Sequence, residues 1–226
     1  MRYAGVVFDL DGTLLDTLRD IADAANAVLA AQGFPTHDLE AYRYFVGEGV
    51  AQLYRYLLPP ENHTDAWIER CGVLFRESYE RHWNVHTAAY PGVEELLRQL
   101  CARSVRLAVL SNKPDVFTKK CVARYLAQYP FAVVLGQRDG VPRKPDPTAA
   151  LEIARSLELS PADCVYLGDT GIDMQTAVRA GMLAVGAQWG FRPAEELLRH
   201  GAQAIIGSPG ELLDIVEAGI AGSARN

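Results

Sequence analysis

The pattern of apolar and polar positions divides the chain into two kinds of segment. A short apolar run over residues 4–8 ends abruptly at two acids, which is typical of a strand buried on both faces of a parallel sheet. From residue 16 to residue 86 the apolar spacing is helical and no strand pattern is found. Four helices are predicted there, at about 18–29, 38–45, 50–58 and 64–82.

Beyond residue 88 the pattern changes to one in which strands and helices alternate. The predicted strands are 105–110, 132–135, 164–167, 183–185 and 204–206. The predicted helices are 93–101, 116–129, 148–157, 173–180, 194–199 and 211–218, followed by a tail at 219–226 that we expect to be frayed. Such alternation predicts βαβ units, a parallel sheet and right-handed crossovers.

The first strand therefore belongs with the later part of the chain. We predict an α/β fold, a three-layer Rossmann-like core with a central parallel sheet, formed by residues 1–15 and 88–226. Residues 16–87 would be an all-helical domain inserted after the first strand, with a capping box at Thr17 and Asp20 starting its first helix. Because open α/β sheets bind ligands at the carboxyl ends of their strands, this insertion is a candidate lid hinged at both of its connections.

Composition limits the class of protein and its partners. The chain has 226 residues, 49% hydrophobic and 22% charged, and this balance predicts a soluble globular protein. A net charge of −6 argues against non-specific nucleic-acid binding, and no apolar run reaches membrane-span length. We read no signal peptide, and the four scattered cysteines match no zinc spacing, so we expect buried free thiols and a cytoplasmic location.

The first candidate chemistry lies directly after the first strand. Asp9 and Asp11 are two residues apart, so in extended chain their side chains project to the same side. Two like charges held that close are costly, and a bound cation or an active site usually explains them. The more ordinary interpretation is a turn after a strand, where Asp and Gly are common.

Further polar residues follow later strands or lie in a loop before a helix. They are Ser111 with Asn112, Lys144, and Asp169 with Asp173. Singly, these residue types are more typical of a turn, a solvated lysine or a helix cap. Together, an acid-rich cluster with one hydroxyl and one lysine suits a phosphate held beside Mg²⁺.

These residues resemble a known family. In order along the chain, Asp9-Leu10-Asp11-Gly12-Thr13, Ser111, Lys144 and Gly168-Asp169 with Asp173 resemble the four motifs of the haloacid dehalogenase-like phosphohydrolases. The inserted helices are similar to the small four-helix cap of some members. Tyr90–Val93, Ser111–Pro114, Lys144–Pro147 and Trp189–Arg192 resemble the phosphoglycolate phosphatase branch, although pyrophosphatases and sugar-phosphate phosphatases of that branch carry similar strings.

The resemblance implies a Mg²⁺-dependent phosphatase that works through an aspartyl-phosphate. Asp9 would attack phosphorus, and Asp11 would protonate the leaving group and later deprotonate water. Asp9, the backbone carbonyl of Asp11 and Asp169 would hold the metal, supported by Asp173 directly or through water. Ser111, Asn112 and Lys144 would bind phosphate oxygens, with Lys144 also pairing with Asp9.

Several assignments stay open at this point. Asn112, Lys113 and Arg143 are by themselves more typical of local structure than of catalysis. The loop at Gly47 and Glu48 is either a plain helix break or, as the resemblance implies, a substrate-specificity loop facing the site. Both a monomer and a homodimer are compatible with the sequence.

The alternatives concern the substrate and the reaction. A small phosphorylated metabolite is expected, with 2-phosphoglycolate as the best single candidate and pyrophosphate or a sugar phosphate as alternatives. A dehalogenase is disfavoured because it would not need the second acid, Asp11, and a phosphomutase because Ile21 stands where related mutases commonly have His. A catalytically silent binding protein is disfavoured because all four motifs are present.

Overall fold

The computed structural model describes residues 1–219. Its strands are β1 (Gly5–Phe8), β2 (Leu15–Asp16), β3 (Ala88–Ala89), β4 (Arg106–Pro114), β5 (Phe131–Gln137), β6 (Cys164–Gly168), β7 (Leu183–Ala187) and β8 (Ala204–Ile206). Apart from Gly219, the tail predicted to fray lies outside the described residues.

The helices fall into two groups along the chain. Those of the inserted segment are α1 (Leu18–Ala31), α2 (Leu39–Phe45), α3 (Val50–Leu57) and α4 (Asp65–His82). The later helices are α5 (Val93–Ala102), α6 (Asp115–Tyr125), α7 (Thr148–Ser156), α8 (Gly171–Ala180), α9 (Ala194–Arg199) and α10 (Leu212–Ala218). Short 3₁₀ turns lie at Pro60–Asn62, Pro161–Asp163 and Pro209–Glu211.

Six strands form one parallel sheet in the order β5-β4-β1-β6-β7-β8. The chain winds outward from β1 through β4 to β5, then returns to the other side of β1 to add β6, β7 and β8. This reversal of strand order is the topological switch point of a doubly wound sheet, and ligands bind in the crevice outside the carboxyl ends of the strands there. The predicted α/β fold with a central parallel sheet is confirmed.

The sheet is apolar on both faces, as a strand buried between two helical layers requires. Val6 and Phe8 of β1 join one buried cluster, which also contains residues of α5, α6 and α10. Val7 joins the opposite cluster, with residues of α7, α8 and α9. A third cluster lies among α1–α4, and Phe117 of α6 and Phe191 also belong to it.

The inserted helices leave and rejoin the sheet through two adjacent segments. In β2 and β3, Leu15 pairs with Ala89 and Asp16 with Ala88 in antiparallel register. The predicted helical insertion is therefore present, while its division into a separate domain at residues 15/16 and 87/88, and its role as a lid, stay predictions.

The predicted capping box at the start of α1 is wrong. The side chain of Thr17 makes no capping hydrogen bond to the helix. Its hydroxyl instead donates to Asp11 Oδ1 at 2.7 Å. Asp20 accepts hydrogen bonds from the backbone nitrogens of His86 and Thr87 and from the Thr87 hydroxyl, at 2.7–3.1 Å. Tertiary partners have taken both side chains away from the helix terminus.

Asp20 is therefore expected to hold the return connection of the insertion. We predict that Asp20→Ala lowers the free energy of unfolding by about 2–4 kcal/mol, because buried backbone N–H groups lose a charged acceptor. Urea unfolding measures this loss. The matched control is Asp23→Ala on the exposed side of α1. Loss of its ion pair with Arg19 should lower the free energy of unfolding by less than about 1 kcal/mol. Equal effects of the two substitutions would contradict the role of Asp20.

Two further expectations concern cysteines and membranes. All four cysteines are free thiols, three of them buried and Cys101 half-buried. Within residues 1–219, no helix combines the length and apolarity needed to cross a membrane.

Candidate active site

The candidate site is a pocket at the carboxyl ends of β1 and β4, beneath the inserted helices. Its polar wall is lined by Asp9, Asp11, Ser111, Asn112, Lys113 and Lys144. The inserted helices contribute a mainly apolar wall that includes Ile21, Val50, Leu53, Phe75 and Tyr79. Most of the predicted site residues line this pocket, whereas Asp169, Asp173 and Glu48 are not among the residues that line it.

Three buried carboxylates lie together at the base of the site. Asp9, Asp169 and Asp173 each offer an oxygen, and these oxygens all lie within 4.8 Å of one another. Burial, reinforced by Asp173, raises the pKa of Asp9 well above its usual value, and Lys144 opposes that rise. Burial and Asp173 raise the pKa of Asp169 to about 7. The cluster therefore has the donor set of a cation site.

Asp169 is fixed by the loops that surround it. Its Oδ1 accepts a hydrogen bond from Thr13 Oγ1 at 2.9 Å, and its Oδ2 accepts one from the backbone nitrogen of Phe191 at 2.8 Å. Gly12, with φ of +90°, approaches so closely that a Cβ there would lie 2.2 Å from Asp169 Oδ2. The Gly-Thr turn after the first strand thus needs its glycine for a steric reason as well as for its conformation.

Asp173 has a structural role and a place in the site at once. Its Oδ2 accepts hydrogen bonds from the hydroxyl and the backbone nitrogen of Thr170, at 2.6 and 3.1 Å, and completes a capping box at the start of α8. Its Oδ1 accepts from Lys144 Nζ at 2.7 Å. Of the two interpretations that the sequence left open, the helix cap is confirmed, and a role of Asp173 at the metal site stays a prediction.

Lys144 lies at the centre of the cluster. Its ammonium group donates to Asp9 Oδ1 at 2.8 Å, to Asp173 Oδ1 at 2.7 Å and to the Leu110 carbonyl at 3.2 Å. The predicted contact with Asp9 is present. Among the described residues, Lys144 is the one cation within hydrogen-bonding distance of the three clustered acids, so one positive charge faces three carboxylates.

Ser111 and Asn112 lie where β4 reaches the pocket. The Asn112 side-chain amide donates to the backbone carbonyl of Lys144 at 3.1 Å and accepts from the backbone nitrogen of Lys144 at 3.0 Å. It also donates to the Gly47 carbonyl of the inserted segment at 3.0 Å. Asn112 thus fastens the Lys144 loop to β4, and its predicted phosphate contact stays a prediction. Ser111 Oγ accepts a hydrogen bond from the backbone nitrogen of Lys113 at 3.2 Å.

Asp11 has a partner that the sequence reasoning missed. Lys113 Nζ lies 2.9 Å from Asp11 Oδ1 and 3.2 Å from Oδ2, and both side chains are largely buried. Burial alone would lower the pKa of Lys113, but the Asp11 carboxylate outweighs it and the net shift is upward. The spacing could have indicated that Lys113 belongs to the site. Lys113 is two residues after Ser111, so in an extended chain the two side chains project to the same side.

The two residues proposed for specificity are placed differently. Gly47 lines the pocket, and its carbonyl accepts from Asn112. Glu48 is not among the residues lining this pocket, and its carboxylate accepts a hydrogen bond from Tyr56 at 2.8 Å. A role in substrate selection stays a prediction for both.

Further contacts between the insertion and the core lie next to Asp169, and they were not predicted from the sequence. Arg43 on α2 donates to the Gly190 carbonyl at 2.9 Å. Arg192 donates to the carbonyls of Tyr44 and Val46 at 3.0 and 3.1 Å. The loop that positions Asp169 through Phe191 is therefore also bound to the inserted helices.

Comparisons with known proteins point to one family. The family model described as "Haloacid dehalogenase-like hydrolase" matches residues 6–187. A phosphoglycolate phosphatase of Pseudomonas putida is 33% identical over 97% of this chain and 79% of its own length. A phosphoglycolate phosphatase of Nitrosospira multiformis is 35% identical over 94% and 95% of the two chains.

Solved structures give the same result. A crystal structure from Lactobacillus delbrueckii subsp. bulgaricus, provisionally described as a phosphoglycolate phosphatase, has a TM-score of 0.89 at 30% identity. It covers 96% of this chain and 99% of that one. This protein belongs to the haloacid dehalogenase-like hydrolase family, in its phosphoglycolate phosphatase-like branch.

Proposed function

We propose that this phosphatase hydrolyses a small phosphate monoester, with 2-phosphoglycolate as the best candidate, through a phosphorylated Asp9 and with Mg²⁺ as cofactor. The observation that carries the proposal is the buried cluster of Asp9, Asp169 and Asp173 around Lys144, with Asp11 on the same pocket wall. Clusters of this kind, with pKa values strongly perturbed by burial and by each other, mark functional sites.

The residues present fit a magnesium ion. Mg²⁺ prefers oxygen ligands, takes one or two carboxylates and completes its shell with water and phosphate oxygens. Asp9, Asp169 and the Asp11 carbonyl would hold it, supported by Asp173. The three carboxylates carry more negative charge than Lys144 balances, and buried like charges are costly without a cation. The ion would supply charge neutralisation between the nucleophile and the incoming phosphate.

In the first step, the Asp9 carboxylate would form a bond to phosphorus while the bond from phosphorus to the ester oxygen breaks. The leaving oxygen would take a proton from Asp11. Lys144 already donates to Asp9 Oδ1 at 2.8 Å, so it would orient that carboxylate and contact a phosphate oxygen beside it. Ser111 and Asn112, at the end of β4, would bind further oxygens of the phosphate group.

In the second step, water would attack phosphorus of the aspartyl-phosphate, and the bond to Asp9 breaks to release inorganic phosphate. Asp11 would accept the proton of that water, which restores its state at the start of the cycle. A positioned acid or base of this kind contributes about 10²- to 10⁴-fold to a rate. Burial beneath the inserted helices would keep other water away.

The substrate is supported by the names of the relatives. Proteins called phosphoglycolate phosphatase match most of this chain at 30–35% identity. A screen of initial rates with 2-phosphoglycolate, sugar phosphates, nucleotides and pyrophosphate tests the proposal. We expect 2-phosphoglycolate to have the highest kcat/KM. A higher kcat/KM for pyrophosphate or a sugar phosphate would make that compound the preferred substrate and would leave the proposed mechanism in place.

The effect of Mg²⁺ on thermal stability is expected to depend on pH. Because the pKa of Asp169 is raised to about 7, most molecules carry a proton there at pH 6 and few at pH 8. Protons compete with metal, so the apparent affinity for Mg²⁺ should rise on the order of tenfold over this range. Without metal, the stability of the folded protein should instead fall as the pH rises from about 4 to about 7. Over this range the unfolded chain releases the proton of Asp169 more readily than the folded protein does, because the pKa is raised in the folded state.

Melting temperatures with and without Mg²⁺ at the two pH values measure this effect. The increase on adding Mg²⁺ should be larger at pH 8, and a chelator should remove both the increase and the activity. In Asp169→Asn, which lacks one of the proposed ligands, the increase on adding Mg²⁺ should be largely lost at both pH values. Equal increases at pH 6 and pH 8 in the unmodified protein, or turnover that survives the chelator, would contradict the metal site.

A further inference from the structure

Lys113 and Tyr79 form a polar pair in the pocket that the proposed mechanism does not use. We propose that these two side chains bind a carboxylate on the leaving group of the substrate. The substrate class would then be small phosphomonoesters that also carry a carboxylate. This inference rests on the function proposed above and gives it a structural basis for substrate selection.

The burial of Lys113 is the first observation. Its side chain is 4% exposed, and its ammonium group lies 4.7 Å from the centre of the Tyr79 ring. A buried ammonium needs an anionic partner, because loss of its hydration is otherwise uncompensated. Among the described residues, the partner is Asp11, which the mechanism needs at the leaving oxygen.

The Tyr79 hydroxyl is the second and independent observation. Tyr79 lies on α4, is 2% exposed and lines the same pocket. Within residues 1–219 its hydroxyl oxygen makes no hydrogen bond of normal geometry, although the charge of the nearby Lys113 opposes the rise in the Tyr79 pKa that burial causes. Buried polar groups are nearly always paired, and an unpaired one costs free energy unless a ligand or water completes it. A hydroxyl donor beside an ammonium group is a suitable site for a small anion.

The choice of a carboxylate follows from what Lys113 already contacts. The two oxygens of Asp11 lie 2.9 and 3.2 Å from Nζ, so a carboxylate fits against this ammonium group. In the proposed first step Asp11 carries the proton for the leaving oxygen, so the one positive charge of Lys113 matches a substrate monoanion, whereas a second phosphate would bring more charge than it neutralises. A lysine also has three N–H donors, so a substrate carboxylate can share it with Asp11 or take it over.

The exchange of partners would connect binding to chemistry. A substrate carboxylate on Lys113 would free an oxygen of Asp11 to turn toward the leaving oxygen. The Thr17 hydroxyl, 2.7 Å from Asp11 Oδ1, would keep that carboxylate in place. Esters without a carboxylate would leave Lys113 and Asp11 bound to each other. Arg76 also lines the pocket, but it is exposed, so water competes for its charge.

The test compares two esters, 2-phosphoglycolate and ethyl phosphate, which differ in the carboxylate of the leaving group. The quantity measured is the ratio of their kcat/KM values. We expect Lys113→Met to lower this ratio about 100-fold and Tyr79→Phe about 10-fold, the range for hydrogen bonds to charged groups. Tyr79→Phe removes a hydroxyl that makes no hydrogen bond of normal geometry in the free protein, so this variant tests the proposal even if Lys113→Met fails to fold.

The chain offers matched controls for both variants. Tyr54 also has a buried, unpartnered hydroxyl, but it does not line the pocket, so Tyr54→Phe should leave the ratio unchanged. Lys119→Met removes an exposed lysine of α6 and should also leave it unchanged. If Lys113 only orients Asp11, Lys113→Met will slow the hydrolysis of both esters equally. The ratio of kcat/KM values will then be unchanged in Lys113→Met and in Tyr79→Phe, and that result would overturn the proposal.

The other outcomes separate this proposal from the proposed function. An unmodified enzyme that hydrolyses both esters with equal kcat/KM would overturn the carboxylate site and leave the phosphatase mechanism standing. Hydrolysis of neither ester would overturn the carboxylate site together with 2-phosphoglycolate as the substrate. A fall of the ratio in Arg76→Gln but not in Lys113→Met or Tyr79→Phe would move recognition to the arginine and also overturn the proposal.

Discussion

Replacement of Asp9 by Asn should reduce kcat by at least about 10⁴-fold, the scale seen when a covalent nucleophile is removed. Asn preserves the shape of the side chain and can still face Lys144, but its amide oxygen is not a competent nucleophile toward phosphorus. Because burial raises the pKa of Asp9, its negative charge is a cost to the folded protein at neutral pH. The melting temperature without Mg²⁺ should therefore not fall.

The control for this variant is Asp214→Asn, which makes the same chemical change at an exposed position of α10. It should retain full activity and stability. Steady-state rates with 2-phosphoglycolate, measured together with thermal unfolding, distinguish loss of chemistry from loss of fold. If Asp9→Asn is folded and keeps more than a few per cent of the activity, Asp9 is not the nucleophile.

The second large effect is expected at Lys144. Lys144→Met should lower kcat/KM by about 10²- to 10³-fold, the usual effect of losing one preorganised donor to a developing negative charge. It should also destabilise the protein by about 3–5 kcal/mol at neutral pH, because Asp9 and Asp173 are left buried without their shared cation. Urea unfolding and steady-state kinetics measure the two effects separately.

A double variant separates these two roles of Lys144. Adding Asp173→Asn to Lys144→Met removes one of the stranded charges, so part of the stability should return while activity stays low. The exposed Lys119 of the preceding helix provides the surface control, since Lys119→Met should change neither quantity by much. A Lys144→Met protein with normal stability would contradict the central place of this lysine in the acid cluster.

The parts of the site that the sequence predicts well are those determined locally. Asp9 follows an apolar run that is typical of a buried strand, and Asp169 follows another, so parallel pairing of β1 with β6 brings both to one edge. The Gly-Thr turn is equally local. For Lys144 and Asp173, only their order in the resemblance distinguished them from a surface lysine and a helix cap.

The parts that the sequence did not predict depend on distant partners. Lys113 looked like local structure, because nothing near it in sequence indicated that its ammonium group would be buried against Asp11, 102 residues away. Asp20 matched a capping box, but its acceptor oxygens bind backbone 66 and 67 residues later. The contacts of Arg43 and Arg192 depend on how the inserted helices pack, which periodicity alone does not specify.

The central claim is that phosphate passes through a covalent bond to Asp9. The most direct measurement is rapid acid quench during turnover, borohydride reduction of any acyl-phosphate, and sequencing of the modified peptide by mass spectrometry. Residues 3–19 form one tryptic peptide that contains Asp9, Asp11 and Asp16, so fragmentation must locate the change. We predict that reduction converts Asp9, and not Asp11 or Asp16, to homoserine. Modification at another residue, or substrate turnover with no trapped acyl-phosphate at any quench time, would contradict the mechanism.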